Sequence, residues 1–261
     1  MADERAASAV AEALGVAPPV ARVLAAARGL PVDRPPVMYW LNPHAACQLM
    51  AEYRPSRSRA ANWMARLLWR RFLRGGGLEA GEWTRALPLL FEQQGNGSYV
   101  LDLGADISIQ SPELSSAAGF VGSIRTENGR LRLRGPLGGA LGLGGIYMDM
   151  VDMPIKQAGD LAEYRLPAVS EGQFAGIRRF RRAHPDVCML VEVLSFQQVV
   201  ADYMMGAAQF MLALYDHPRE LKAFMARLAD WIVEIIRCAA RAGADMVFFQ
   251  DDYGATGRPL I

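Results

Sequence analysis

The sequence has few cysteines, and they lie far apart. Cys47, Cys188 and Cys238 form no Cys-x-x-Cys pair and no Cys/His cluster. Neither a disulfide framework nor a complete zinc site is therefore visible. Isolated free thiols are typical of a protein in a reducing cytosol. We expect a cytoplasmic protein whose cysteines are reduced.

The sequence also lacks long apolar runs and an excess of charge of one sign. No apolar stretch approaches the roughly 20 residues that span a bilayer, and the Ala-rich start carries Asp3, Glu4 and Glu12, unlike a signal peptide. The net charge is only +1, which gives no general attraction to nucleic acid or to an anionic membrane. We expect neither as a partner.

What the sequence does have is enough apolar residues for a large core. Hydrophobic residues make up 52% of the 261 positions, which argues against disorder. A chain of this length fits one barrel-sized domain. Helices are predicted over 5–29, 44–74 and 79–94, and Gly29 is a suitable helix stop. Two short apolar runs predict strands, Val37–Trp40 and Ser98–Leu103.

A segment at about 119–157 differs from the rest of the chain in its residue pattern. Val121–Arg125 and Arg130–Arg134 flank Asn128-Gly129, which is a strong hairpin signal. The glycine-rich stretch that follows has no Gly-x-x-x-x-Gly-Lys-Ser/Thr pattern and no βαβ context. We therefore predict a mobile loop or an excursion over a barrel face rather than a phosphate-binding loop.

From residue 158 onward, strand and helix patterns alternate regularly. Val187–Val193 and Met246–Phe249 are continuous apolar runs, as expected of strands buried on both faces. Helices are predicted over 171–183, over about 197–213 and from Pro218 to Gly243. Strand, helix and strand at this spacing imply parallel pairing with a right-handed crossover. The pattern slightly favours an α/β barrel over a doubly wound sheet.

Several motifs resemble, in order, those of the uroporphyrinogen decarboxylase and corrinoid methyltransferase superfamily. They are Val32–Val37 before strand one, the DLxxYxxP-like Asp160–Pro167, the strand Val187–Phe196, the LYDxP-like Leu214–Pro218 and the strand and loop Gly243–Gly254. The resemblance implies an α/β fold, the TIM (β/α)₈ barrel of this superfamily. It also implies one partial domain over 1–261 that holds about the first four barrel strands, because family members continue through four more.

The resemblance implies two classes of reaction. Decarboxylation of tetrapyrrole acetate side chains needs no cofactor, but it needs arginines that hold the substrate carboxylates. The family's Arg-Gln-Ala-Gly-Arg signature belongs after strand one, where this chain has Met38–His44 and no arginine until Arg54. The other class moves a methyl group between a corrinoid or methylated substrate and a thiol. We favour this methyltransferase-like branch, which the sequence Asp251–Gly254 also resembles more.

Two alternatives stay open. A decarboxylase would have to take its substrate arginines from elsewhere, for example Arg125, Arg132 or Arg134. A non-catalytic barrel fragment is the second alternative. In the methyltransferase branch, a zinc ion would activate a thiolate, with ligands expected beyond Ile261 and none within this chain. The partners implied are a small-molecule substrate, a corrinoid or corrinoid protein, and a second copy of the chain in a homodimer.

The candidate catalytic residues are acidic and belong to the third and fourth barrel strands. Asp251 and Asp252 end a buried strand at the face where active sites of this fold lie; a helix cap or a rim salt bridge is the structural alternative. Glu192 lies inside an apolar strand, where an unpaired carboxylate is costly. A buried ion pair is the alternative for Glu192.

The candidate substrate-binding residues follow the first and fourth strands. Tyr39, Trp40 and His44 come at or after the first strand, and Tyr253 follows the acidic pair of the fourth. Simple packing is the alternative for the aromatic side chains, and a surface or capping position is the alternative for His44. Cys188 is predicted to be a small core residue.

Overall fold

The computed structural model describes residues 18–39, 59–60, 63, 67, 104–110, 124–127, 130–134, 137, 140–143, 148–194, 196–251, 254–255 and 258–259. These residues form two compact units. Unit 1 comprises Met1–Gln110, Ala175–Val191 and Ala240–Met246, and unit 2 comprises Ser111–Phe174, Glu192–Ala239 and Val247–Ile261. No helix within the described ranges is long and apolar enough to cross a membrane.

The elements follow one another in an α/β order. The strands are β1 Ile107–Gln110, β2 Ile124–Glu127, β3 Arg130–Arg134, β4 Ala140–Leu143, β5 Met148–Asp152, β6 Cys188–Leu194, β7 Met246–Gln250, β8 Gly254–Ala255 and β9 Arg258–Pro259. The α-helices are α1 Pro18–Ala27, α2 Ala175–Ala183, α3 Phe196–Gln198, α4 Ala207–Asp216 and α5 Pro218–Arg241. Short 3₁₀ helices cover Ala158–Leu161 and Glu171–Phe174, and a π-helix covers Val199–Met204.

Helix α1 of unit 1 ends as its sequence predicts. Gly29 has a φ of +68°, a left-handed conformation that glycine adopts without a Cβ clash. The Leu30 N–H donates to the Ala25 carbonyl at 2.9 Å and the Gly29 N–H to the Ala26 carbonyl at 3.0 Å. This pattern is a Schellman motif, which satisfies the last carbonyls of a helix. The predicted beginning at residue 5 lies outside the described residues.

A three-stranded sheet has the order β1-β6-β7, and β1 runs parallel to β6. Ile107 lies opposite Cys188 and Gln110 opposite Val191. Met38 makes an isolated parallel bridge to Ile107, which places the predicted first strand beside β1. The predicted strand at Ser98–Leu103 lies outside the described residues. The fold is thus a mixed α/β structure that is consistent with part of a barrel.

Helix α1 packs on this sheet through an apolar cluster within unit 1. Val20 and Val23 of the helix are buried together with Cys188, and Leu24, Ile107 and Met246 pack against them. Burial raises the pKa of the Cys188 thiol to about 12, so the thiol stays protonated and unreactive at neutral pH. The prediction of Cys188 as a core residue is confirmed.

An ion network holds the amino end of β1. Asp106, which directly precedes the strand and is 2% exposed, accepts hydrogen bonds from the Arg22 and Arg34 guanidinium groups and, at 3.0 Å, from the Val37 N–H. Arg22 also forms a two-pronged pair with Asp33, at 2.6 and 2.8 Å. One buried carboxylate thus joins α1, the segment around Arg34 and β1.

The pairing with Arg22 lowers the pKa of Asp33 to about 2. A carboxyl group with a lowered folded-state pKa stabilises the fold above its unfolded-state pKa. The stabilising effect of this pair is therefore present above the ordinary value of 3.8 and is lost as the pH falls toward 2.

A second ion pair holds the amino ends of β6 and β7. Arg181 pairs with Asp245 and donates to the carbonyls of Gly243 and Val187, each at 3.0 Å. The Asp245 carboxylate accepts the Met189 N–H at 2.8 Å. Polar residues at the amino face of such a fold serve stability, so chemistry is expected at the opposite strand ends.

The glycine-rich segment of unit 2 contains a four-stranded antiparallel sheet in the order β2-β3-β4-β5. The predicted hairpin is confirmed, with Ile124 opposite Leu133 and Glu127 opposite Arg130. The Tyr164 hydroxyl donates to the Leu137 carbonyl at 2.6 Å. This contact ties the turn between β3 and β4 to the DLxxYxxP-like segment.

The DLxxYxxP-like segment itself lies on helix α5. The Arg227 guanidinium donates to the carbonyls of Leu161 and Tyr164, and the Trp231 indole N–H donates to the Pro167 carbonyl at 2.7 Å. Tyr164 also packs edge-on against Phe224. The motif therefore has a structural role within unit 2, because it holds its segment against α5. Helix α5 buries one apolar face, which includes Leu221, Phe224, Leu228, Ile232 and Ile235.

The sequence predicts one helix over about 197–213, and this prediction is wrong in the middle. The chain forms α3, then the π-helix Val199–Met204, and starts α4 only at Ala207. Gly206 has a φ of +87°, which a continuous right-handed helix excludes. The break changes the backbone path from that of a regular helix in the segment just before Gly206, which includes Asp202 and Tyr203.

We predict that Asp106→Asn strongly destabilises the protein. The substitution leaves two arginines beside a buried site without their carboxylate, and breaking a buried ion pair in this way costs about 3–5 kcal/mol. Urea unfolding followed by circular dichroism measures the loss. Asp186→Asn, at an exposed position of the same unit, is the matched control and should change little. A midpoint for Asp106→Asn equal to that of the control would contradict the network's role.

Candidate functional site

The candidate site lies in unit 2, where β6 and β7 reach their carboxyl ends. Asp251 follows β7 directly, and its Oδ2 accepts the Gln197 N–H at 3.3 Å. Gln197 lies in α3, which begins just after β6. Asp251 thus links the ends of two neighbouring strands. The contact is a helix-capping hydrogen bond, which is the structural alternative named above for Asp251. It fixes the carboxylate at the strand ends.

Glu192 lies near the end of β6, half-buried between the fully buried Val191 and Val193. Its negative charge contributes to raising the pKa of Tyr203, after burial and the charge of Asp202. Glu192 and Tyr203 are therefore close enough to interact electrostatically. The sequence predicts Glu192 inside the strand, and its functional role stays a prediction.

The π-helix contributes two further titratable groups. Asp202 is exposed, but partial desolvation by its neighbours and the charge of Asp251 raise its pKa. Burial likewise raises the pKa of the Tyr203 phenol, so that the phenol stays protonated at neutral pH. The charge of Asp251 thus acts on Asp202, and the charges of Asp202 and Glu192 act on Tyr203. We call these four residues the carboxylate cluster.

Asp202 and Tyr203 are absent from the sequence-based candidates. The sequence pattern assigns them to a regular helix, in which they would be two polar residues on a solvent face. The signal that could have found them is Asp-Tyr inside the run Val199–Met205, which is otherwise apolar. π-helical segments occur frequently at functional sites because they distort a helix locally.

An aromatic pair borders the same strand ends. The rings of Phe196 and Phe249 lie 5.5 Å apart at 64°, an edge-to-face arrangement, which is a favourable geometry for two aromatic rings. Phe249 remains 38% exposed. The site therefore offers an accessible apolar surface in the strand that leads into Asp251.

The other predicted site residues lie either in unit 1 or outside the described residues. Tyr39 belongs to unit 1 and is 38% exposed. Trp40, His44, Asp252 and Tyr253 lie outside the described residues, so their roles stay predictions. Within the part of the chain that the structure describes, no group of three or more His, Cys, Asp or Glu side chains could hold a metal ion.

The cluster suits proton transfer. A carboxyl group whose pKa is raised toward neutrality accepts and releases protons more effectively near physiological pH, and Asp202 is shifted in that direction. A protonated phenol such as Tyr203 donates a hydrogen bond to developing negative charge. The arrangement can therefore take a proton from a weakly acidic substrate group and stabilise the anion that forms.

One family model matches the segment that contains these residues. Residues 150–259 match the family model of uroporphyrinogen decarboxylase (URO-D). The matched range includes β6, the π-helix, α5 and β7, and with them the whole carboxylate cluster. No curated protein sequence gives a significant match to the chain.

We predict that the Asp202 carboxyl titrates above its ordinary pKa of 3.8 and that Asp251→Asn lowers this value. The substitution removes one charge, but burial, the larger cause, remains, so the shift should be reduced and not abolished. Carbon-13 NMR titration of the carboxyl groups measures both values. Asp160, whose pKa is lowered by the Lys156 backbone N–H, is the control and should not respond. An Asp202 midpoint below 3.8, or one that ignores Asp251→Asn, would contradict the cluster.

Proposed function

We propose that the chain is a methyltransferase-like enzyme of the uroporphyrinogen decarboxylase superfamily, because residues 150–259 match the family model of uroporphyrinogen decarboxylase. In this proposal it moves a methyl group between a corrinoid or methylated substrate and a thiol. The superfamily implies a (β/α)₈ barrel, in which the carboxyl ends of the strands carry the active site. The three-stranded sheet would be part of that barrel, and the carboxylate cluster lies at those strand ends.

The negative charge of the cluster is the observation that carries the proposal. The charge of Asp251 raises the pKa of Asp202, and the charges of Asp202 and Glu192 raise the pKa of Tyr203. A tetrapyrrole with several acetate side chains is a polyanion, and carboxylates close to its binding site repel it. A thiol that must lose its proton during the reaction is instead served by a nearby carboxylate.

The proposed reaction can be written with the protein's own residues in defined roles. The thiol sulfur forms a bond to the methyl carbon, and the bond from that carbon to cobalt in the corrinoid substrate breaks. The electron pair of the broken bond stays on cobalt, and the thiol proton moves to the Asp202 carboxylate. Asp251 holds α3 through the Gln197 N–H, and the Phe196–Phe249 pair excludes water beside the reacting groups.

The other candidate residues also have roles in the proposal. Asp252 follows Asp251 directly and is the second candidate for the proton acceptor, while Tyr253, Trp40 and His44 are candidates for substrate contact. Zinc in this branch would lower the pKa of a bound thiol. The described residues do not supply a ligand set for it, and no step is assigned to it.

Decarboxylation of a tetrapyrrole is the second candidate function. The observation that favours it is the strand register of unit 2, which places Arg125 directly opposite Arg132. Arg134 lies two residues along the same strand and so on the same face of the sheet. These are the arginines that a decarboxylase lacking the usual signature would need to hold substrate carboxylates.

We predict that the purified chain transfers the methyl group of methylcobalamin to a small thiol, and that Asp202→Asn lowers the rate by about 10²–10⁴-fold, the usual contribution of a general base. Mass spectrometry of the methyl thioether and the absorption spectrum of the cobalamin follow the reaction under anaerobic conditions. Asp230→Asn, at an exposed position of α5, is the matched control and should keep the full rate.

Two outcomes would overturn this proposal. If Asp202→Asn has the rate of the control, the carboxylate does not take the proton. If the folded chain transfers no methyl group but releases carbon dioxide from uroporphyrinogen, the second candidate function replaces the first. In that case Arg132→Gln should abolish the release, whereas Asp202→Asn need not.

A further inference from the structure

Helix α4 of unit 2 presents two large apolar side chains to solvent. Leu212 is 56% exposed and Tyr215 is 84% exposed. Residues three or four apart on an α-helix lie on the same face, so these two side chains and the exposed Ala208 form one surface, which we call the α4 patch. A different face of the helix is buried through Phe210 and Ala213. Helix α4 thus has one face in the core and one apolar face in solvent.

Charged side chains of both signs follow the α4 patch directly. Asp216 is the last residue of α4, and Arg219, Glu220 and Lys222 belong to the beginning of α5. All four are exposed. Within the part of the chain that the structure describes, none of these four side chains forms an ion pair. Two acidic and two basic groups are therefore available to a partner.

The position of Arg219 is unfavourable within its own helix. Arg219 is the second residue of α5, where the positive end of the helix macrodipole repels a cation and favours an anion. Glu220 has the favourable sign at this end, but Arg219 does not. Arg219 therefore does not stabilise the beginning of α5. A carboxylate that approaches from outside the chain would compensate its charge.

The presence of both signs favours a second copy of the chain over a partner of one charge. A nucleic acid or an anionic membrane attracts basic residues only, and it would be repelled by Asp216 and Glu220. In a dimer with two-fold symmetry the same surface meets itself in the opposite direction. The acidic residues of one copy can then lie opposite the basic residues of the other. We propose that the α4 patch and the four charged residues beside it form an interface between two copies of this chain.

The arrangement of these residues matches the usual anatomy of a protein interface. Apolar and aromatic side chains form the centre of such interfaces, and polar groups form the rim. Tyrosine is among the residues that contribute most to binding, so Tyr215 is the central anchor, with Leu212 beside it. Charged pairs at a rim set the orientation of the two partners and speed their encounter. The interface is independent of the proposed methyl transfer, because it uses none of the carboxylate cluster.

Sedimentation velocity of the full chain over a range of concentrations tests the proposal. We expect a monomer–dimer equilibrium whose dissociation constant rises about 30-fold or more in Tyr215→Ser, the usual effect of truncating a central anchor. Leu212→Ser should act in the same direction. Val233→Ser, at an exposed apolar position of α5 in the same unit, is the matched control and should dimerise as the wild type does.

An exchange of charges tests the orientation of the two copies. One variant carries Arg219→Glu with Lys222→Glu, and the other carries Asp216→Lys with Glu220→Lys. Each variant alone places like charges opposite each other, so we expect both to dimerise more weakly than the wild type. An equimolar mixture restores opposite charges across the interface and should form heterodimers, which native mass spectrometry distinguishes from either homodimer.

Three results would overturn the proposal. A chain that stays monomeric at every concentration would show that this surface does not bind a second copy. A dimer that Tyr215→Ser and Val233→Ser affect equally would show that the copies meet elsewhere. Two charge variants that pair no better in the mixture than alone would show that the four charged residues do not face one another. Circular dichroism confirms that each variant is folded, and the charge exchange provides the test if Tyr215→Ser is not.

Discussion

The Asp106 carboxylate is the point on which unit 1 depends. It accepts hydrogen bonds from Arg22 in α1, from Arg34 and from the Val37 backbone, and its own backbone N–H donates to the Val37 carbonyl. A carboxylate this deeply buried would be costly without such partners. Because Asp106 also directly precedes β1, the same group sets where that strand starts, and the backbone contact from Cys188 to the Asp106 carbonyl at 3.0 Å extends this to β6.

Aspartates at the two ends of the strands have opposite electrostatic environments. At the amino ends, Asp106 and Asp245 each accept hydrogen bonds from an arginine and a backbone N–H. At the carboxyl ends, burial and the charge of Asp251 raise the pKa of Asp202. The arginine and backbone donors satisfy the carboxylates at the amino ends and serve stability, whereas partial desolvation beside another carboxylate raises the pKa of Asp202. Only the second environment prepares a carboxyl group for proton exchange near neutral pH.

Local patterns in the sequence were sufficient wherever short-range chemistry decides the structure. Gly29 ends α1, Asn128-Gly129 marks the β2–β3 hairpin, and the apolar runs give β6 and β7, so Asp251 could be placed at a strand end. The ion network was not predictable, because Arg22 and Asp106 are 84 residues apart. The π-helix was missed because nothing in helical periodicity distinguishes it. Strand β4 was missed because Gly142 interrupts its pattern. Strand β5 was missed although its Met-Asp-Met start alternates, because the glycine-rich stretch before it indicated a loop.

Composition concealed the most informative property of unit 2, which is where its charges lie. The chain has 28 basic and 27 acidic residues, and this balance excludes a general attraction to polyanions. The hairpin turn fixes the register of β2 against β3 and places Arg125 opposite Arg132. The helix break at Gly206 follows the π-helix, in which the charge of Asp251 raises the pKa of Asp202. The net charge of +1 therefore does not show where single charges come together in the fold, because strand register and helix breaks decide that placement.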